Sequence, residues 1–154
     1  MKRPMIQIRH ARRQDFLQVA ALDRGAWLNS RHGRFIPDGE HVWRIWCEYG
    51  LTFVASRRGT IIGAILAFPT VNQAYCLHKV MVATGSRGQG VGGKLMQAML
   101  RAIDRRKADV FLTVDPSNES ALRLYKKWGF TSRRLVRGFY RKNEDRYVLT
   151  RRSR

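Results

Sequence analysis

Acidic side chains are scarce in this 154-residue chain. Eleven Asp and Glu stand against thirty Lys and Arg, a formal net charge of +19. A field of that size attracts polyanions and repels cations. Nucleic acid or ribosomes, a phosphorylated small molecule, and a basic surface with no dedicated partner all fit it, and charge alone does not choose. Cysteine is scarce too. Cys47 and Cys76 make neither a disulfide framework nor a metal set, so they read as buried free thiols in a reducing cytoplasm. No apolar run approaches the ~18 residues needed to cross a bilayer, so no membrane association is expected. The start, Met1-Lys2-Arg3-Pro4, is basic, but no apolar stretch of about 7–15 residues follows, so it is not expected to be a secretory signal. There is no internal repeat, no low-complexity tract and no Pro/Ser linker, so residues 1–154 are expected to form a single domain.

What remains is globular in composition, 44% hydrophobic and 27% charged. Alternation marks a strand at Met5–Arg9. A helical stripe runs from Asp15 to Leu22 through Phe16, Val19 and Ala20. Gly33, Pro37 and Gly39 break the chain before a second helix, His41–Tyr49, with Val42, Ile45, Trp46 and Tyr49 on one face. Leu51–Ser56 and Thr60–Phe68 form a hairpin across Arg57-Arg58-Gly59, and Pro69 ends or bends the second strand. Tyr75–Val82 is another strand. Gln89–Arg106 is a long amphipathic helix with Val91, Leu95, Met99, Ala102 and Ile103 inward. Val110–Val114 is a short buried strand. Glu119–Trp128 is a helix with Ala121, Leu124, Tyr125 and Trp128 on one side, closed by Gly129. Phe130–Tyr140 and Arg146–Leu149 make a last strand pair. The order β-α-α-β-β-β-α-β-α-β-β predicts an α/β fold, a mixed and mostly antiparallel sheet flanked by helices.

The chemistry concentrates where the Tyr75–Val82 strand meets the long helix. Arg87-Gly88-Gln89-Gly90-Val91-Gly92-Gly93-Lys94 holds four glycines in six residues. Backbone N–H groups at a helix start form an anion nest, and glycine lets a phosphate come close. Gly88-x-Gly90-x-x-Gly93 fits the dinucleotide fingerprint, but at least three strands precede it, where that fingerprint follows the first. Gly88-x-x-x-x-Gly93-Lys94 nearly fits the nucleotide-hydrolase loop. Leu95 stands where Ser or Thr must hold magnesium, which argues against ATP or GTP hydrolysis.

Arg87-x-x-Gly90-x-Gly92 after a Val-Met-Val strand resembles the Gln/Arg-x-x-Gly-x-Gly/Ala signature of the GNAT superfamily of N-acetyltransferases. Asn118-x-x-Ala121-x-x-Leu124-Tyr125-x-x-x-Gly129-Phe130 resembles its second segment. The resemblance spans about residues 75–130 with specific motifs, and the flanks match in element order. Ala83-Thr84-Gly85 departs from it where many members carry proline, which bears on turn shape more than on chemistry. The resemblance implies a single-domain GNAT fold with acetyl-CoA as cosubstrate and no metal. The amides of Gly88, Gln89, Gly90, Val91, Gly92 and Gly93, with Arg87 and Lys94 nearby, would cradle the pyrophosphate. Backbone groups of Met81 and Val82, on a strand splayed after Val80, would meet the pantetheine amide and the thioester carbonyl. Asn118 would contact the pantetheine arm. Tyr125 would lie near the sulfur and protonate the leaving thiolate.

The base has no obvious residue. Many members place Glu on this strand or at the end of the next, and here those positions read Cys76, His78 and Thr113. His78 is the candidate, since histidine is the residue type that ordinarily changes charge near neutral pH, and a packed or surface histidine is the plain alternative. Glu48 and Asp115 are weaker candidates. At pH 7 roughly 10–15% of an α-amine is neutral, against well below 0.1% of a lysine, so a site without a carboxylate base suits an α-amine.

The segment from Arg137 to Leu149 resembles the tail of protein N-terminal acetyltransferases, including those acting on ribosomal proteins, with Phe139 and Tyr140 lining the acceptor cleft. Trp27, Phe35, Trp43 and Trp46 are candidates for its other wall, or for core. From Arg123 to Arg154, twelve basic and two acidic residues leave a local net of +10. That surface repels a free polyamine and draws a substrate held on ribosomes or RNA, though no RNA-binding motif is present. The expected activity is acetyl transfer to a protein or peptide amine. The alternatives are a small-molecule amine acetyltransferase and a non-catalytic nucleic-acid or ribosome-binding module of the same fold. A homodimer through terminal strands is common in the family, and the sequence carries no decisive signal for it.

Overall fold

Two residues suffice to reverse the chain between β2 (Leu51–Arg57) and β3 (Thr60–Pro69). Arg58 and Gly59 both take positive φ, 51° and 80°, the pairing whose twist suits adjoining strands. The computed structural model describes residues 4–29 and 36–154. Gly33, Phe35 and the basic start at 1–3 lie outside the described residues. The other elements are β1 (Gln7–His10), α1 (Phe16–Leu28), α2 (Glu40–Tyr49), β4 (Tyr75–Val82), α3 (Val91–Arg105), β5 (Val110–Val114), α4 (Glu119–Lys127), β6 (Ser132–Val136) and β7 (Arg146–Arg151). The strands hydrogen-bond in the order β1-β2-β3-β4-β5-β7-β6, with β4 and β5 parallel and the β1–β2, β2–β3, β5–β7 and β6–β7 pairs antiparallel. This is the expected element order and the expected mixed α/β sheet.

The chain groups into two compact units, one reaching Phe68 and resuming from His78 to Arg101, the other Pro69–Leu77 with Ala102–Arg154. The first unit is built on a core of Val19, Ala20, Trp43, Cys47, Val54, Ile61, Ala64, Leu66 and Met81. A β-bulge at Ala55/Ser56 shifts the β2–β3 register, and Gly63 follows it. A Cβ at Gly63 would sit 2.9 Å from Val91 Cγ1 and 3.0 Å from Leu95 Cδ1, so the bare backbone of β3 lets α3 pack close. In the second unit β5 alternates, burying Val110, Leu112 and Val114, with Phe130 and Leu149 also buried. Asp104 binds Arg151 through two bonds of 2.7 and 2.9 Å.

Three local expectations are corrected. On α2 the inward pair is Trp43 and Cys47, spaced i, i+4, while Val42, Ile45 and Tyr49 are exposed. The strong apolar character of those three misassigns the face, because the indole N–H of Trp43 has a buried acceptor that periodicity does not reveal. On α4 Ala121, Tyr125 and Trp128 are half-buried as expected, but Leu124 is exposed and Leu122 is half-buried in its place. The last strand pair is shorter on its first arm: β6 ends at Val136, and residues 137–145 form a turn in which Phe139 N–H donates to Glu144 O and Gly138 N–H to Asp145 Oδ1.

Candidate active site

The glycine turn starts where β4 stops. Ala83 N–H still donates to Ile62 O on β3, and Thr84–Ser86 then make a single 3-10 turn. Gly88 and Gly90 take φ of 71° and 78°, the left-handed region that an L side chain enters at a cost of about 1–2 kcal/mol. Lys94 N–H donates to Gly90 O at 3.1 Å, the first bond of α3. The amides of Val91, Gly92 and Gly93 therefore belong to the helix's first turn, where an α-helix supplies no internal acceptor. A Cβ at Gly88, Gly90 or Gly93 would meet nothing within 4 Å. Those backbones face open space, which suits a bulky anion and would be closed off by side chains.

Two side chains of the turn are already engaged. Gln89 donates to Gly85 O and accepts from Arg57 Nη2 at 2.6 Å, so its side chain braces the turn and only its backbone remains for a ligand. Arg87 Nε donates to Val82 O at 3.3 Å, tying the turn to the last residue of β4. Met81 is buried, Val82 half-buried and Lys94 exposed.

In the second unit Asn118 caps α4. Its Oδ1 accepts from Ala121 N–H and Ser120 Oγ, each at 3.1 Å. Tyr125 lies two turns on, edge-on to Phe130 with ring centroids 5.6 Å apart. Burial pushes its phenol above the ordinary value, so the hydroxyl is a proton donor throughout the neutral range. Tyr140 Oη lies 2.9 Å from Thr113 Oγ1, Phe139 packs edge-on to Tyr140, and the Arg146 guanidinium covers the Tyr140 ring at 5.2 Å. The acceptor candidate and one vacant base position are thus in contact.

His78 is held rather than free. Its Nε2 lies 3.1 Å from Asp38 Oδ2, and its ring meets Trp46 edge-on and Phe68 at a tilt. Glu48 is bound by Arg44, and Asp115 accepts from Ser117 and lies 3.9 Å from Arg146. Cys76 is half-buried and Cys47 buried. Both are free, and burial pushes both thiols up to about 11, so neither is a nucleophile at neutral pH. Trp43 is core, whereas Trp27 is partly exposed. Among the described residues no three His, Cys, Asp or Glu side chains converge as metal ligands, and no helix is long and apolar enough to cross a membrane.

Asp23, Asp38 and Lys79 were not singled out by sequence reasoning. One signal was available: Lys79 falls between Leu77 and Met81 on the buried side of β4, where a charge needs a buried partner.

Residues 16–130 match the model of the acetyltransferase (GNAT) family. An N-alpha-acetyltransferase of Sulfurisphaera tokodaii is 30% identical, covering 93% of this chain and 90% of that protein. The crystal structure of the ribosomal-protein-S18-alanine N-acetyltransferase from Escherichia coli superposes with a TM-score of 0.80 at 19% identity, covering 97% of this chain and 96% of that one. A ribosomal-protein-alanine N-acetyltransferase from Brucella melitensis gives 0.79 at 20% identity, covering 95% and 99%. With the glycine turn and the capped Asn-to-Tyr helix in place, these likenesses show that the chain is an acyltransferase belonging to the acetyltransferase (GNAT) family.

Proposed function

We propose that this protein is an acetyl-CoA-dependent N-alpha-acetyltransferase that acetylates the N-terminal amine of a protein or peptide. The observation that carries the reading is likeness along nearly the whole chain to an N-alpha-acetyltransferase, at 30% identity over 93% of the residues. Acetyl-CoA supplies an activated acetyl thioester. The open amides at Gly88, Gly90 and the first turn of α3 fit its phosphates, since the helix start favours negative charge. Gln89, Val91, Gly92, Gly93, Arg87 and Lys94 belong to the same cradle, with Met81 and Val82 as backbone partners of the pantetheine. Asn118 takes the pantetheine arm, and Tyr125 gives a proton to the departing sulfur. His78 takes the proton that the amine releases. The attacking amine must be neutral, and an α-amine meets that requirement far more often than a lysine near pH 7.

Phe139 and Tyr140 are the acceptor-binding candidates, and their turn is hydrogen-bonded through both ends. The exposed cations Lys126, Lys127, Arg134, Arg137 and Lys142 support an acceptor carried by ribosomes or RNA in the cytoplasm. The same charge opposes a cationic small-molecule acceptor.

Calorimetry with acetyl-CoA, wild type beside Gly90→Glu, tests the cosubstrate. Peptides with a free or a blocked N-terminal amine, each with one internal lysine, test the acceptor. Acetylation of the free N terminus alone supports the reading. Absence of acetyl-CoA binding by the wild type refutes it.

A further inference from the structure

We propose that the buried Lys79–Asp23 ion pair is a positioning device that holds the Asp38 carboxylate against His78 Nε2, leaving Nδ1 as the ring atom that accepts the proton of the attacking amine. This deepens the reading of His78 as the base and rests on it.

Lys79 sits in the middle of β4 with a side chain 5% exposed, and Asp23 on α1 is 0% exposed. An ammonium in such a place costs several kcal/mol unless it is paired, and a well-packed apolar pair often serves stability as well or better. The pair therefore invites a reason other than stability. Its connections supply one. Lys79 Nζ lies 2.9 and 2.8 Å from the two carboxylate oxygens of Asp23. Asp23 Oδ2 also accepts from Trp43 Nε1 at 2.9 Å and from the backbone N–H of Asp38 at 2.8 Å. Lys79 Nζ donates to Ile36 O at 3.3 Å and lies 2.7 Å from Asp38 Oδ2.

Asp38 is thus gripped twice, at its backbone by Asp23 and at its carboxylate by Lys79. The oxygen that meets Lys79 is the one 3.1 Å from His78 Nε2. Trp46 and Phe68 flank the ring. A carboxylate accepts and does not donate, so a neutral His78 bonded to it carries its proton on Nε2. The Nδ1 lone pair is then the ring position left to take a proton. The segment entering α2 is irregular and carries Asp38 far in sequence from His78. Among the described residues, these two grips are what tie that segment beside His78.

The test uses Asp23→Asn/Lys79→Met, which keeps an amide oxygen at position 23 for Trp43 Nε1 and the Asp38 N–H and leaves no lone buried charge. Crystal structures of the wild type and the double variant read the contact whatever the activity. The expected result is Asp38 Oδ2 near His78 Nε2 in the wild type and moved away in the variant. Kinetics use acetyl-CoA with heptapeptides beginning in Ala, Ser or Met, following thiol release. The double variant should lose about 10–100-fold in kcat, the usual range for a partner that orients a functional ligand, with the KM for acetyl-CoA unchanged. Adding Asp38→Asn should cost little more, since both changes remove one interaction. A double variant that keeps the contact, or that keeps wild-type kcat while His78→Asn loses it, overturns this inference alone. Wild-type kcat in His78→Asn removes the base reading and this inference with it.

Discussion

Tyr140 Oη lies 2.9 Å from Thr113 Oγ1, joining the turn after β6 to the end of β5. The bond is exposed, so it contributes about 1 kcal/mol or less to stability. Its expected role is to set the Tyr140 ring for the acceptor. Tyr140→Phe should raise the KM for peptide several-fold, leave the KM for acetyl-CoA unchanged and move the melting temperature little. Steady-state kinetics with each substrate varied in turn decides it. An equal rise in both KM values would remove the acceptor role.

Gly90 has positive φ and open space where a Cβ would go. Gly90→Ala should therefore cost about 1–2 kcal/mol of strain with no clash. Gly90→Glu adds a carboxylate beside the amides that would face phosphate, and should weaken acetyl-CoA binding tenfold or more while the chain still folds. Calorimetry beside circular dichroism separates lost binding from lost fold.

Tyr125 is raised above 10 by burial. As the acid it must be protonated, and it stays so at every pH below that value. Tyr125→Phe should lower kcat by about 10²–10⁴-fold, the range for a positioned acid. The alkaline loss of kcat that belongs to Tyr125 should appear above pH 10, not between 8 and 9. A pH profile of kcat with saturating substrates tests both statements.

Asp104 is held below the usual carboxylate range, chiefly by the side-chain bonds from Arg151, against the opposing effect of burial. The ionised form is the one that folding favours. Its stabilisation is fully present above pH ~4, the unfolded value, and is lost as pH falls through the lower folded value. Asp104→Asn leaves Arg151, itself buried, without its carboxylate and should cost about 2–4 kcal/mol at pH 7. The variant's stability should also fall less steeply than that of the wild type below pH 4. Thermal melts between pH 3 and 7 measure this.

Gly63→Ala should destabilise by about 1–3 kcal/mol. The added Cβ meets Val91 Cγ1 at 2.9 Å and Met81 O at 3.1 Å, and the backbone oxygen cannot swing away as a side chain can. Denaturant titration would show it as a lower midpoint at unchanged slope.

Periodicity placed Tyr75–Val82 and Val110–Val114 at their observed limits, because both are mostly apolar runs bounded by turns, and the second is dense in β-branched and aromatic residues. It placed the α3 stripe as well, since Val91, Leu95, Met99, Ala102 and Ile103 are all buried. It missed the inward face of α2, and on α4 it took Leu124 for the inward leucine where Leu122 is the half-buried one. On α2 a single strong contact, Trp43 Nε1 with Asp23, turns the short helix against its apolar average.

The glycine turn was legible because its requirements are local: positive φ at Gly88 and Gly90 and open space above them depend on neighbours a few residues away. Asn118 as a cap, and the spacing of Asn118 and Tyr125, are local in the same sense. What the tertiary structure alone decided is which distant polar groups meet. Lys79 reaches Asp23 across fifty-six positions, and His78 reaches Asp38 across forty. A single sequence carries propensity, pattern and short-range spacing, and these groups meet only once the tertiary fold has brought α1, the entry to α2 and β4 together.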